Sequence, residues 1–203
     1  IGLEYRQKQV YLEALYEIQQ RRSIGDVKMI YIMEHRGPFY NKIGQWNKFS
    51  ECSGGTMVEK CCHYFDLFNL FAASKPVKVY CSGAAAVNFL DFEYEGRRSD
   101  IIDHSFTIVE FENGVRACLN LCMFPRMRAM EEMVVNGSVG RLRAYDDPRN
   151  EVEVFREGDR SSRRIDVVTP TQILETGAHS GSTYYEHKLF LDTIEGKEGA
   201  APS

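Results

Sequence analysis

The sequence has no CxxC pair, no run of about 18 apolar residues, no GxGxxG loop and no surplus of basic charge. Each absence removes a class of protein. Six cysteines (Cys52, Cys61, Cys62, Cys81, Cys118 and Cys122), two of them adjacent, fit reduced, buried thiols better than a disulfide frame or a zinc knuckle, and point to a cytoplasmic setting. Without a long apolar run, no membrane partner is expected. With 25 Lys plus Arg against 29 Asp plus Glu and both signs interspersed, the net charge of −4 leaves no footprint for a phosphate backbone. No nucleic-acid partner is expected either. Only 16 glycines and 6 prolines in 203 residues, beside 43% hydrophobic residues, exclude a disordered chain. A chain of this length buries roughly 70% of the surface that its unfolded form exposes, so its core needs no covalent staples. The opening IGLEYR lacks the charged and apolar regions of a signal peptide, and a start on Ile1 with an end on Ala-Ala-Pro-Ser reads as a piece of a longer protein.

What is present is a few helical patterns and many strand patterns. Val10, Leu12, Ala14, Leu15 and Ile18 make residues 8–22 an amphipathic helix, with Gly25 as its stop. Residues 27–34 then alternate with period two until Gly37-Pro38, as a strand does. Residues 40–55 show no period and predict a loop, and residues 56–73 predict a second helix. Seven strand-like runs follow, at 75–89, 103–111, 115–124, 131–135, 141–145, 152–155 and 164–168. Asn113-Gly114 predicts a tight hairpin turn, and Asn136-Gly137 predicts the start of another. A last helix over 182–195 stops at Gly196. The order predicts an α+β domain: a large, mostly antiparallel open sheet with helices on one face. Its other face, apolar in runs such as residues 116–122, is expected to meet a second copy of the chain in a homo-oligomer.

The chemistry concentrates in the second helix. At 100° per residue, Glu59, His63 and Asp66 (i, i+4, i+7) fall within an arc of about 60°, while Met57, Cys61, Phe65 and Phe68 lie opposite. Carboxylates one turn either side of an imidazole favour its charged form and orient its ring, which suits proton transfer near neutral pH. The same helical wheel turns Lys60 away from the His63 stripe. Gly54 and Gly55, just before the helix, let a ligand or another segment approach its N-terminus. Spacing alone leaves two other readings open. The stripe is also what a solvated helix face carries. An acid and a histidine four residues apart can also share a divalent ion, with further ligands from His35, His104, His179 or His187, although nothing nearby selects one and no metal is expected.

The run GGTMVEKCCHYFDL resembles the signature of the Gfo/Idh/MocA oxidoreductases: paired glycines, an acid, a histidine four residues later and an Asp three after that. IGLEYR resembles the last strand of that family's nucleotide-binding domain, and SIGDVKMIYIMEHRGP, VEFENGVRACLNLCMF, EEMVVNGSVGRLRAYD and GAHSGSTYYEHKLFLDTIEG resemble successive segments of its C-terminal domain. The resemblance covers essentially the whole chain. It implies a division at 1–24, a remnant strand and linker helix, and 25–203, a substrate-binding and oligomerisation domain. The implied reaction is hydride transfer between NAD or NADP and a hydroxyl-bearing carbon of a sugar, inositol or related polyol. His63 falls on the family's general acid/base, Glu59 on the carboxylate usually filled by Asp, and Asp66 on a second, orienting acid. Because no GxGxxG occurs here, the cofactor is expected to be bound mainly by a separate N-terminal domain, and this chain alone is expected to be inactive. The family's catalytic lysine belongs to that domain too, and Lys60 is not read as its substitute.

Further residues are candidates for a polyol pocket: Glu34, His35 and Arg36 at the end of the first strand, Trp46 and Asn47 in the long loop, and His179 before the last helix. Tyr5 and Arg6 are expected near the cofactor. The alternative reading is a ligand-binding or oligomerisation module of a family member without activity.

Overall fold

The computed structural model describes residues 2–125, 130–176 and 178–197. The termini beyond these, Ile1 and residues 198–203, lie outside the described residues. A 3-10 turn, Glu4–Gln7, leads into α1 (Gln9–Gln19) and then β1 (Val27–His35). Three helices follow: α2 (Ser50–Ser53), α3 (Thr56–Glu59) and α4 (Cys62–Ala72). The strands β2 (Pro76–Ala84), β3 (Glu93–Tyr94), β4 (Arg97–Arg98), β5 (His104–Phe111), β6 (Arg116–Cys122), β7 (Met130–Gly137), β8 (Gly140–Tyr145), β9 (Glu151–Arg156) and β10 (Arg163–Asp166) come next. The chain ends in α5 (Thr171–Thr176) and α6 (Ser182–Ile194).

Eight strands form one open sheet in the order β10-β9-β8-β7-β1-β6-β5-β2, with β3 and β4 as a separate small hairpin. All neighbours in the large sheet are antiparallel except β1 and β6, which run parallel because the helices and β5 intervene between them in sequence. The expected architecture is therefore present. Alternation sets the two faces. Ile30, Ile32 and Glu34 of β1, Ala117, Leu119 and Leu121 of β6, and Met133 and Val135 of β7 are buried beneath Val10, Ala14 and Ile18 of α1 and Tyr64, Leu67 and Phe68 of α4. On the opposite face Met29, Tyr80, Phe106 and Ile108 are exposed.

Three local expectations are corrected. The helix expected over 56–73 is two helices: the Cys61 amide bonds to the Thr56 carbonyl, one residue further back than an α-turn, and the ladder restarts when the Tyr64 and Phe65 amides bond to the Cys61 carbonyl. Asn136-Gly137 ends β7 instead of forming the turn, which falls at Ser138-Val139. Gly137 is needed for close approach, since a Cβ there would sit 2.1 Å from the Ile24 carbonyl oxygen. Finally, only Cys61 among the six free thiols is buried; Cys52 and Cys81 are exposed.

Candidate active site

The N-terminal turn packs between α4 and α6, which places Tyr5 under the start of α4. The His63 imidazole lies on the Tyr5 ring, with centroids 4.4 Å apart and planes 14° from parallel. His179, in the turn before α6, meets the same ring at 5.9 Å, and its Nε2 lies 3.2 Å from a Glu4 carboxylate oxygen. Glu4 also accepts a hydrogen bond from the Thr183 hydroxyl at 2.6 Å. Arg6 grips Asp66 through two parallel hydrogen bonds, Nε to Oδ2 at 2.5 Å and Nη2 to Oδ1 at 2.6 Å. Tyr5, Arg6, His63, Asp66 and His179 thus come together from three separate segments. Tyr5 itself is buried and supports the imidazole from below.

The electrostatics differ from the sequence expectation. His63 is pushed down to about 4, first by burial and then by the charge of Lys60, against the upward pull of Glu4. Neither helix carboxylate is among the groups that act most strongly on it. Glu59 pairs with Lys42 at 3.3 Å, and Lys42 in turn lies over the Trp46 ring at 4.6 Å. Asp66 is engaged by Arg6. The imidazole is therefore held neutral, in the form that accepts a proton. Its Nδ1 is buried and has no hydrogen-bond partner among the described residues.

Sequence reasoning missed the polar layer beneath His63. Lys60 is buried: its Nζ donates to the Tyr5 hydroxyl at 2.6 Å and lies 3.3 Å from Glu34 Oε1. The Tyr64 hydroxyl donates to the other Glu34 oxygen. Glu34 stands opposite Glu131 in the β1–β7 register, and the buried Lys8 pairs with Glu131 and Asp146. Burial raises Glu34 and the neighbouring Glu131 charge raises it further, whereas Lys8 and Lys60 outweigh burial at Glu131 and hold it low. Burial likewise raises Asp146 against the pull of Lys8. The only sequence signal was polar residues inside apolar strand patterns.

The other candidates sit elsewhere. Asn47 is buried and donates to the Tyr40 carbonyl at 3.0 Å, an anchoring contact for its loop. Arg36 lies over the Phe39 ring and 3.9 Å from Glu34, and His35 follows Glu34 with its Nε2 buried and unpartnered among the described residues. Gly54 and Gly55 both take positive φ and serve the turn from α2 to α3; a Cβ on Gly54 would press to 2.8 Å from the Val58 Cβ. No cluster of three or more His, Cys, Asp or Glu able to hold a metal occurs among the described residues, and no described helix is long and apolar enough to cross a membrane.

The model of an oxidoreductase family's C-terminal alpha/beta domain, that of Gfo/Idh/MocA, matches residues 18–203. The chain belongs to the Gfo/Idh/MocA oxidoreductase family. Solved structures share this family fold. An oxidoreductase domain protein from Kribbella flavida superposes with a TM-score of 0.75 at 17% identity over 97% of this chain and 57% of its own. Levoglucosan dehydrogenase in complex with NADH and levoglucosan gives 0.75 at 14% identity over 97% and 57%. The super-repressor mutant of Gal80p from Saccharomyces cerevisiae gives 0.74 at 14% identity over 99% and 54%. This chain spans little more than half the length of these Gfo/Idh/MocA-like structures. No curated protein sequence matches it.

The two carboxylates flanking the family histidine should behave differently. Asp66→Asn is expected to lower stability to urea by about 1–2 kcal/mol, below the top of the range for charged bonds because Arg6 is partly exposed. Glu59→Gln should cost under about 0.5 kcal/mol, as for a surface pair. Equal losses would contradict the division of roles.

Proposed function

We propose that this chain is the substrate-binding and proton-transfer domain of a nicotinamide-dependent dehydrogenase acting on a CH–OH group of a sugar, inositol or related polyol. One observation carries the reading: the histidine of the family motif is half-buried, neutral and stacked on Tyr5, with an imidazole nitrogen unpaired among the described residues. Because Nδ1 is sealed from solvent, the nitrogen assigned to meet a substrate hydroxyl is Nε2. In oxidation, an imidazole nitrogen of His63 accepts the hydroxyl proton as the hydride leaves the same carbon; in reduction, the imidazolium returns it. Neutral His63 starts the oxidative direction in the right protonation state. His179 and Arg6 stand beside it to bind substrate oxygens, with Asp66 fixing Arg6. Glu59, tied to Lys42 beside Trp46, is assigned to substrate hydroxyls and not to the imidazole. His35, Arg36 and Asn47 are given supporting roles at the strand end and in the loop.

The residues of this chain do not fit a complete dinucleotide. Its paired glycines are used by the turn into a four-residue helix, and the sequence has no GxGxxG loop of the kind that cradles a pyrophosphate. NAD or NADP is therefore assigned to a separate nucleotide-binding half, which residues 1–24 would join to the domain at 25–203. Six free thiols suit a cytoplasmic setting. The exposed Met29, Tyr80, Phe106 and Ile108 on the open sheet face favour a homo-oligomer.

In the full-length protein, His63→Ala is expected to lower kcat by about 10²-fold or more while dinucleotide binding by calorimetry stays within about twofold. Unchanged turnover with the true substrate would refute the assignment and favour a family member without activity. For the open face, sedimentation is expected to show a dimer or larger assembly that Phe106→Glu dissociates. A monomeric wild type would contradict it.

A further inference from the structure

Lys60 has no place in the proton-transfer reading, yet it is the hub of the layer below it. A buried ammonium is costly, and an apolar side chain of similar volume usually packs there as well or better. Its retention has a geometric consequence. Glu34, gripped by the Tyr64 hydroxyl, lies 3.3 Å from the Lys60 Nζ. The same Nζ donates to the Tyr5 hydroxyl at 2.6 Å. The Tyr5 ring, buried on all sides, is the surface on which His63 lies at 4.4 Å and 14°. Carboxylate, ammonium, phenol and imidazole form one continuous stack from the β-sheet to the site. Lys60 sits at the break between α3 and α4, and His63 follows in the first turn of α4.

We propose that Lys60 is a positioning residue of this site, anchored by Glu34 and fixing the Tyr5 ring against which the His63 imidazole lies. The proposal rests on reading His63 as the group that transfers the proton. Lys60 touches neither substrate nor cofactor; it acts through Tyr5 and through its charge. Around His63, Lys60, Lys8 and His179 oppose an added proton, Glu4 attracts one, and Arg6 and Asp66 neutralise each other. Removing Lys60 shifts that balance towards Glu4 and loosens the Tyr5 ring at the same time. A neutral replacement should therefore change both the proton affinity of His63 and the ring-current shifts of its protons.

The test is an NMR titration of the His63 ring protons and nitrogens in this chain, as wild type, Lys60→Met and Lys60→Arg. In Lys60→Met the midpoint is expected to rise by about one pH unit or more towards 6.5, with loss of the Tyr5 ring-current shift. Lys60→Arg, which keeps the charge and a donor, is expected to stay within about half a unit of wild type. A folded Lys60→Met with an unmoved His63 midpoint and unmoved ring shifts overturns the proposal, even if its melting temperature falls, because a purely structural lysine would change only the latter. If Lys60→Met does not fold, Tyr5→Phe serves instead. It deletes only the oxygen that Lys60 binds, and is expected to move both His63 signals in the same direction by a smaller amount; no movement overturns the proposal. The titration involves no turnover, so its outcome is separate from that of His63→Ala. A shifted midpoint with unchanged His63→Ala turnover would keep the role of Lys60 and remove the catalytic one.

Discussion

Charge placed under a covered sheet face must be paired, and in this chain that requirement ties the site to the fold. Glu34 points into the core from the middle of the sheet, between Glu131 on one side and the Lys60 ammonium above. Either carboxylate alone would be expensive to bury. Lys8 and Lys60 offset the charge of Glu34, Glu131 and Asp146, while the Glu131 charge makes ionisation of the other two carboxylates more costly. The N-terminal turn contributes Lys8 and Tyr5, β1 contributes Glu34, β7 contributes Glu131, and the break before α4 contributes Lys60. Loosening any of these contributions leaves a buried charge unmatched, so the position of Tyr5 follows from the pairing.

The active-site reading rests on this layer. A histidine on an ordinary helix face between two carboxylates would be held charged. Here the carboxylates are occupied by Lys42 and Arg6, and the nearest strong field comes from a lysine. Burial first, and then the Lys60 charge, keep the imidazole neutral, in the form that accepts a proton. In the proposed reading this chain contributes the base, His63, the Tyr5 ring that supports it, and two polar neighbours, Arg6 and His179. The same family fold is found in a dehydrogenase and in a repressor mutant, so the site residues, and not the fold, decide between an active and an inactive member.

Much of the architecture is legible in the sequence. Period-two alternation marks β1, β5 and β6, Asn113-Gly114 sits at the β5–β6 turn with Gly114 at positive φ, and Gly196 ends the last helix. These are local signals, each contained within about ten residues. The motif around His63 is legible for the same reason. What is not legible depends on contacts far apart in the chain: Lys60 with Tyr5, Arg6 with Asp66, and Lys8 with Asp146 are joined only by the fold. A helical wheel drawn through 56–73 assumes one axis, and the widened turn at Cys61 splits that stretch into two helices. The parallel pairing of β1 with β6 is hidden likewise, because it needs the helices to cross over first.

The central claim is that the family histidine works as a base held neutral by the buried layer beneath it. The pH dependence of kcat/KM for alcohol oxidation by the full-length protein tests this most directly, since its acid limb reports the free enzyme's base. With His63 near 4, activity should fall by less than about twofold between pH 7 and pH 5.5. A loss of roughly tenfold over that interval, as an unperturbed imidazole titrating near 6.5 would give, would contradict the account.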